Sequence, residues 1–476
     1  MADNHISTGR RRSKKRAALL ALSLCLVSTG TVSAGDDISH KVGDSVTTID
    51  DIGSGSSAYG DDLPQSLPVR MIESHTSGVS IGCHLTDDEK EYWRSNVTVD
   101  VSGSGGGSLH RNVTGIYLLD GAQLTIGGDL TLRLVNRAPA TCGATPGTDV
   151  AHYYMSGVYA GYGGRTRGRT HGDTRFTLSG TLDMDVVGVG LQANKDGYIT
   201  VGGGRIVTHA LGTDTYALLA EEGSVFMNTG ADGRERGTET VNIHGNLGVL
   251  HKNYGIDPNP DRHGSFISLA LPTADSVLTG AILNEYEESG RNPHNSGVDL
   301  YLSHNARWYN CWLGAPREKA ALERLNADTY LYRGSKLRTL CGGAAEEEQG
   351  IILQQEMRPI LVDTCSGFTR VVYTHAADGS ISGGDFIVRH AAPGSCITLR
   401  MAAGTGVTAT DETMYEALRA LAGNLRYQGY AAGERSLRAR VEIAADAASP
   451  ALLRGEICFN PDGQGAFPVA GHADTA

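Results

Sequence analysis

The sequence predicts an all-β chain wound as a right-handed parallel β-helix (a β-solenoid), with a short C-terminal helix and a small helical insertion. Three observations carry this. The first is a recurring phrase, apolar-x-apolar-x-Gly, which reads LTIGG at 124–128, FTLSG at 176–180, ITVGG at 199–203 and VNIHG at 241–245. A second alternating run follows three of these copies, at Leu130–Leu132, Leu182–Met184 and Leu247–Val249. Two period-two runs joined at a glycine are two short strands with a tight corner. The second observation is spacing. The steps of 52, 23 and 42 residues are near two, one and two copies of a 21–26-residue unit, with VFMNTG at 225–230 a degenerate copy. Repeats of that length stack as rungs. The third is composition: 63 glycines against 14 prolines, 40% apolar residues, and 7 Phe against 19 Tyr. Glycine suits repeated corners, and few large apolar side chains suit a thin core.

Taken in order, residues 1–34 read as a cleaved signal peptide. Six basic residues between Arg10 and Arg16 precede the apolar run Ala17–Val27, and small residues stand at Val32-Ser33-Ala34. That run is too short to span a bilayer. Residues 35–110 read as a flexible leader (35–68) followed by an irregular first rung or N-terminal cap (69–110), because a bare first rung would expose a strand edge. Residues 111–400 read as solenoid rungs, interrupted by loops at 137–148, 161–172, 230–237 and 253–264. The stretch 315–327, with Leu322 and Leu325 three apart, is the small helical insertion. Residues 401–460 form the solenoid end. There Thr410-Asp411-Glu412 caps a helix over 411–425 whose stripe is Met414, Leu418, Leu421, Ala422 and Leu425. Residues 461–476, rich in Gly, Pro and Asp, read as a loose tail.

The segment 365–465 resembles the C-terminal part of passenger regions of bacterial autotransporter (type V secretion) proteins. The resemblance rests on Phe368–Tyr373, Gly394–Arg400, Ala417–Tyr427, Gly433–Leu437, Val441–Ala444 and Gly463–Gly465, and more loosely on the upstream SVLTGAI and NARW pieces. It implies export across the inner membrane and display at the cell surface or outer membrane, or release outside the cell. The implied role is that of an adhesin or surface antigen, with host-surface or matrix glycans or proteins as partners. Two features depart from the pattern. The alternating strands of a C-terminal translocator barrel do not occur in this sequence, which reads as a fragment, a truncated frame, or a passenger whose translocator barrel is a separate partner. The chain after residue 34 also holds seven cysteines, at 83, 142, 311, 341, 365, 396 and 458.

The expected function is non-enzymatic, with no cofactor, no metal and no catalytic residue assigned. A polysaccharide lyase or hydrolase on a β-helix, or a purely structural rod, are the alternatives. The formal charge is −12, and −17 once residues 1–34 are set aside, which disfavours nucleic acid as a partner. Gly43-Asp44-Ser45 lacks the rest of a serine-protease motif and has no room upstream for a His and an Asp. Asp183 and Asp185 share one strand face about 6.5–7 Å apart. That spacing suits an acid/base pair, but alternation with Leu182, Met184 and Val186 makes them an outward polar row. The histidines at 171, 209, 244, 251 and 263 share no ligand spacing, and no C-x-x-C occurs. Gly202–Gly204 and the glycines of 161–168 read as corners. Arg165-Thr-Arg167-Gly-Arg169 is a basic loop suited to anionic glycans or to plain solvation. Cys341 and Cys365, 24 residues apart, fall near one rung. Equivalent positions on neighbouring rungs lie about 4.8 Å apart, inside the disulfide window of roughly 4.4–6.8 Å. A bridge and two buried thiols are both open.

Overall fold

A strand with one apolar side must lay that side against others, and parallel stacking does so without hairpins. The computed structural model of the chain describes residues 38–41, 73–75, 78–93, 96–100, 113–134, 156–161, 173–209, 215–250, 264–284, 296–314, 334–375, 381–402, 411–446 and 449–467. Their strands form three long sheets of 8, 11 and 14 strands, here called the first, second and third faces in the order the chain visits them. The first face runs from Glu73–His75 to Ile282–Asn284. The second runs from Lys90–Trp93 to Leu425–Tyr427, and the third from Ile38–Lys41 to Ala451–Glu456. From Gly78–Leu85 to Arg307–Asn310 the chain makes seven coils that use all three faces in turn. Three coils between Ser335–Cys341 and Cys396–Ala402 then use the second and third faces only. The architecture is the parallel β-helix that the alternation predicts.

Register makes the core. On the first face Ile116, Val158, Leu191, Leu218, Leu247 and Ile282 stack one above another. On the second face Leu124, Phe176, Ile199, Val225 and Ile267 do so. On the third, Leu132, Met184, Ile206, Ile243, Leu278, Trp308 and Ile352 form the column. All of these are essentially inaccessible to solvent and belong to one apolar cluster. The eight side chains of the recurring phrases, from Leu124 to Ile243, therefore do share one core.

Their phasing needs correction. VNIHG at 241–245 is not a further copy of ITVGG: Gly204 pairs with Val241 and Ile206 with Ile243, which places it on the third face. The true successor of Ile199 is Val225, 26 residues on, in the phrase that looked degenerate. SVLTG at 276–280 also lies on the third face, with Leu278 beside Ile243. Any short strand that ends at a glycine corner reads alike, so the phrase marks a corner but not which one. At the corner between the second and third faces, Gly204 has φ +135°, and an added Cβ would lie 2.1 Å from the Leu182 carbonyl oxygen. Only glycine permits that approach.

The ends differ from expectation. Ile38–Lys41, expected within a flexible leader, is a strand in parallel register with Val97–Asp100. A first coil lies within 78–100, in the stretch read as an irregular first rung or cap. At the other end the helix is Asp411–Gly423, two residues shorter than predicted. Leu425 belongs to a strand paired with Phe386–Val388, because alignment with the second face outweighs continuation of the helix. Leu418, Leu421 and Ala422 are buried, and the helix packs against Cys396–Ala402, Leu425–Tyr427, Arg438–Ala444 and Gly465–Ala466. Part of the expected loose tail is structured: Cys458–Phe459 pairs with Gly465–Ala466, and the Phe467 ring stacks on Tyr415 with centroids 6.3 Å apart. The expected signal peptide 1–34, the expected loops at 137–148 and 165–169, the expected helical insertion 315–327, Cys142, Thr410 and the Met414 side chain lie outside the described residues.

Candidate functional site

The outward side of the third face carries the carboxylates singled out by sequence. Asp183 is in register with Thr131 and Arg205, and Asp185 with Arg133 and Val207. The Asp183 carboxylate takes an ion-paired hydrogen bond from Arg133 and another, at 3.2 Å, from Arg205. The hydrogen bond from Arg133 is the largest of the effects on it, and Asp183 is held below the ordinary carboxylate range although partial burial opposes this. Asp185 meets the His209 imidazole at 2.7 Å, Nε2 to Oδ1. His244, one coil further, titrates below the usual imidazole range because of burial and the nearby His209. The row therefore alternates in sign along the axis. A carboxylate kept ionised between two guanidiniums cannot serve as a proton donor near neutrality, so the geometry suits an ion ladder better than an acid/base pair.

Gly43–Ser45, His171, His251 and His263 lie outside the described residues. Gly202–Gly204 is a corner, with the Gly203 carbonyl accepting from Leu182 N at 3.1 Å. Cys341 and Cys365 are offset by one residue: Leu340 pairs with Cys365, and Cys341 with Ser366. A one-residue slip turns side chains to opposite faces, so Cys365 sits in the core, Cys341 points outward, and both are free thiols. Burial pushes the Cys365 thiol up to about 12. The bridge left open by the 24-residue spacing is not formed, because the coil here is 25 residues.

Sequence reasoning missed the densest group of charges, on the outward side of the last third-face strands. Glu442 is fully buried and is contacted by three guanidiniums. Arg400 Nε lies 2.7 Å and Arg370 Nε 3.1 Å from Oε1, while Arg454 Nη2 lies 3.0 Å from Oε2. Arg454 also reaches Glu346 at 3.1 Å, and Arg440 bridges Glu346 at 2.7 Å and Glu456 at 2.9 Å. Burial by itself would raise the Glu442 carboxyl. Hydrogen bonding to Arg400 and the surrounding positive charge outweigh this and hold it low. Burial and the repulsion of Arg400 draw Arg370 below its ordinary value. The available signal was three polar-side arginines on neighbouring strands (370, 400, 440) around one glutamate. It becomes legible only once the register Arg370–Thr398–Arg440 and Arg400–Glu442 is known. This network joins the turn Glu346–Glu348 to the strand Ala451–Glu456 and clasps the C-terminal coils.

A smaller relay lies nearby on the second face. Glu434 accepts from the Tyr427 hydroxyl at 2.8 Å and meets His390 Nδ1 at 2.7 Å; Tyr427 also contacts the Ser436 hydroxyl at 3.1 Å. The His390 hydrogen bond is the main reason Glu434 titrates low, and burial pushes Tyr427 up. A phenol of raised pKa makes a poor base for a serine. Among the described residues no group of three or more His, Cys, Asp or Glu side chains converges as a metal site would require. No protein-family model, curated protein or solved structure matches the chain.

Proposed function

We propose that the chain is an exported rod of the autotransporter-passenger kind, displayed at the cell surface and acting by adhesion or antigenic presentation rather than catalysis. One observation supports this most directly: the acidic groups best placed for chemistry, Asp183, Asp185 and Glu442, are each matched along the stack by basic neighbours. They rigidify a long surface. The partners are host-surface or matrix glycans or proteins, and an outer-membrane translocator barrel for passage to the surface. The surplus of acidic over basic residues disfavours nucleic acid.

The test is expression of the full chain with a candidate translocator, scored by N-terminal sequencing, protease accessibility on intact cells, and retention on immobilised matrix proteins and glycans. Cleavage after Ala34, surface exposure and saturable retention are expected. Release of shortened or unsaturated sugars from a polysaccharide would overturn the non-enzymatic reading, and retention of the chain in the cytoplasm would overturn export.

A further inference from the structure

The outward side of the second face differs in chemistry from the ion ladder of the third. In four successive strands Tyr92, Thr125, Thr177 and Thr200 share one register position. Beside them run Lys90, Gln123, Arg175 and Tyr198. The residues between, Leu124, Phe176 and Ile199, are buried in the core, so both columns face away from it. Tyr92 is 61% exposed, the largest exposure of any big hydrophobic on this face. The Arg175 charge is matched by Asp173 at 2.5 Å, and its guanidinium lies 4.8 Å from the centre of the Tyr198 ring. What remains is hydroxyl, amide and phenol, with the exposed Lys90 ammonium at one end. The platform spans about 14 Å, three steps of the inter-strand spacing. It ends where a turn stands on the following coils: Thr229 bridges Arg236, the Gly233 carbonyl accepts from the Tyr301 hydroxyl at 2.9 Å, and Arg236 lies 4.3 Å from the Tyr301 ring centre.

We propose that this platform binds an extended, uncharged polysaccharide laid along the rod axis. Hydroxyls recurring every 4.8 Å or so can each donate to and accept from sugar hydroxyls. The two phenol rings offer apolar surface with a polar tip for the C–H faces of sugar rings. The formal charge of −12 repels an anionic chain and leaves a neutral one unopposed. The third face cannot serve in the same way, because its outward charges are engaged with one another. This inference rests on the adhesive reading above and names its ligand class.

The experiment uses the purified full chain on an array of neutral hexamers (cellohexaose, laminarihexaose, maltohexaose) and anionic ones (heparin and alginate hexamers), with immobilised fibronectin and collagen alongside. The triple variant T125V/T177V/T200V keeps the β-branched shape and removes only hydroxyls. Tyr92→Ala tests the exposed ring independently of strand packing, and Asp183→Asn serves as a third-face control. Retention on a neutral hexamer is expected, at least tenfold weaker in the triple variant if each hydroxyl contributes a typical hydrogen bond. It should be several-fold weaker in Tyr92→Ala and unchanged in Asp183→Asn, with all circular-dichroism spectra alike. Retention only on anionic hexamers or only on matrix proteins, or neutral binding indifferent to both second-face substitutions, overturns the platform and leaves adhesion standing. Shortening of a neutral hexamer overturns adhesion. The platform survives that result only if the triple variant raises KM.

Discussion

Replacing Glu442 by Gln keeps the side chain's size and one acceptor oxygen but removes the buried negative charge that Arg370 and Arg400 both contact. Arg400 is 2% exposed, so its guanidinium cannot turn to water in place of the lost carboxylate. Removing one partner of a buried ion pair typically destabilises by about 3–5 kcal/mol, and three guanidiniums contact this carboxylate. We expect a loss in that range, confined to the C-terminal coils, because each coil of a solenoid touches only its neighbours. Hydrogen exchange followed by mass spectrometry reads this directly. Peptides covering 396–402 and 438–456 should lose protection, while those covering 174–209 keep it. The acid limb gives an independent check. The Glu442 pKa is depressed on folding, so its contribution is present above the unfolded value near 4.3 and is lost as pH falls through the lower folded value. In E442Q this part of the acid dependence should vanish. Adding Arg370→Met to E442Q should recover part of the loss by removing a stranded cation. A urea-derived loss below about 1 kcal/mol, or protection lost evenly along the rod, would refute the reasoning.

Three further outcomes are expected. Asp183→Asn should cost only about 0.2–1 kcal/mol in urea unfolding, less at high salt, because its side chain is 41% exposed; a loss above 2 kcal/mol or so would mean the row is not a surface ladder. Thiol labelling of the native protein should modify exposed Cys458 readily and the buried Cys83 and Cys365 only after unfolding, with no effect of prior reduction on their mass. Gly204→Ala should destabilise by at least about 1–3 kcal/mol, since φ is +135° and the new methyl would meet the Leu182 carbonyl; an unchanged urea midpoint would show that the corner can relax.

Fold class, the apolar columns, the outward setting of Asp183 and Asp185 and the presence of a C-terminal helix were legible in the sequence. Period-two alternation and corner glycines are local properties, written residue by residue. Which strands lie side by side was not. The phrase at 241–245 changed faces, Cys341 and Cys365 missed each other by one position, and Leu425 left its helix for a strand. The clasp around Glu442 and the threonine column at 125, 177 and 200 likewise exist only through register, since the clasp's paired side chains lie 12 to 94 residues apart, from Arg454–Glu442 to Arg440–Glu346. Coil length varies with every loop, so distance along the chain does not predict height along the rod. Inter-strand hydrogen bonding and core packing decide that height together, and with it which polar side chains meet.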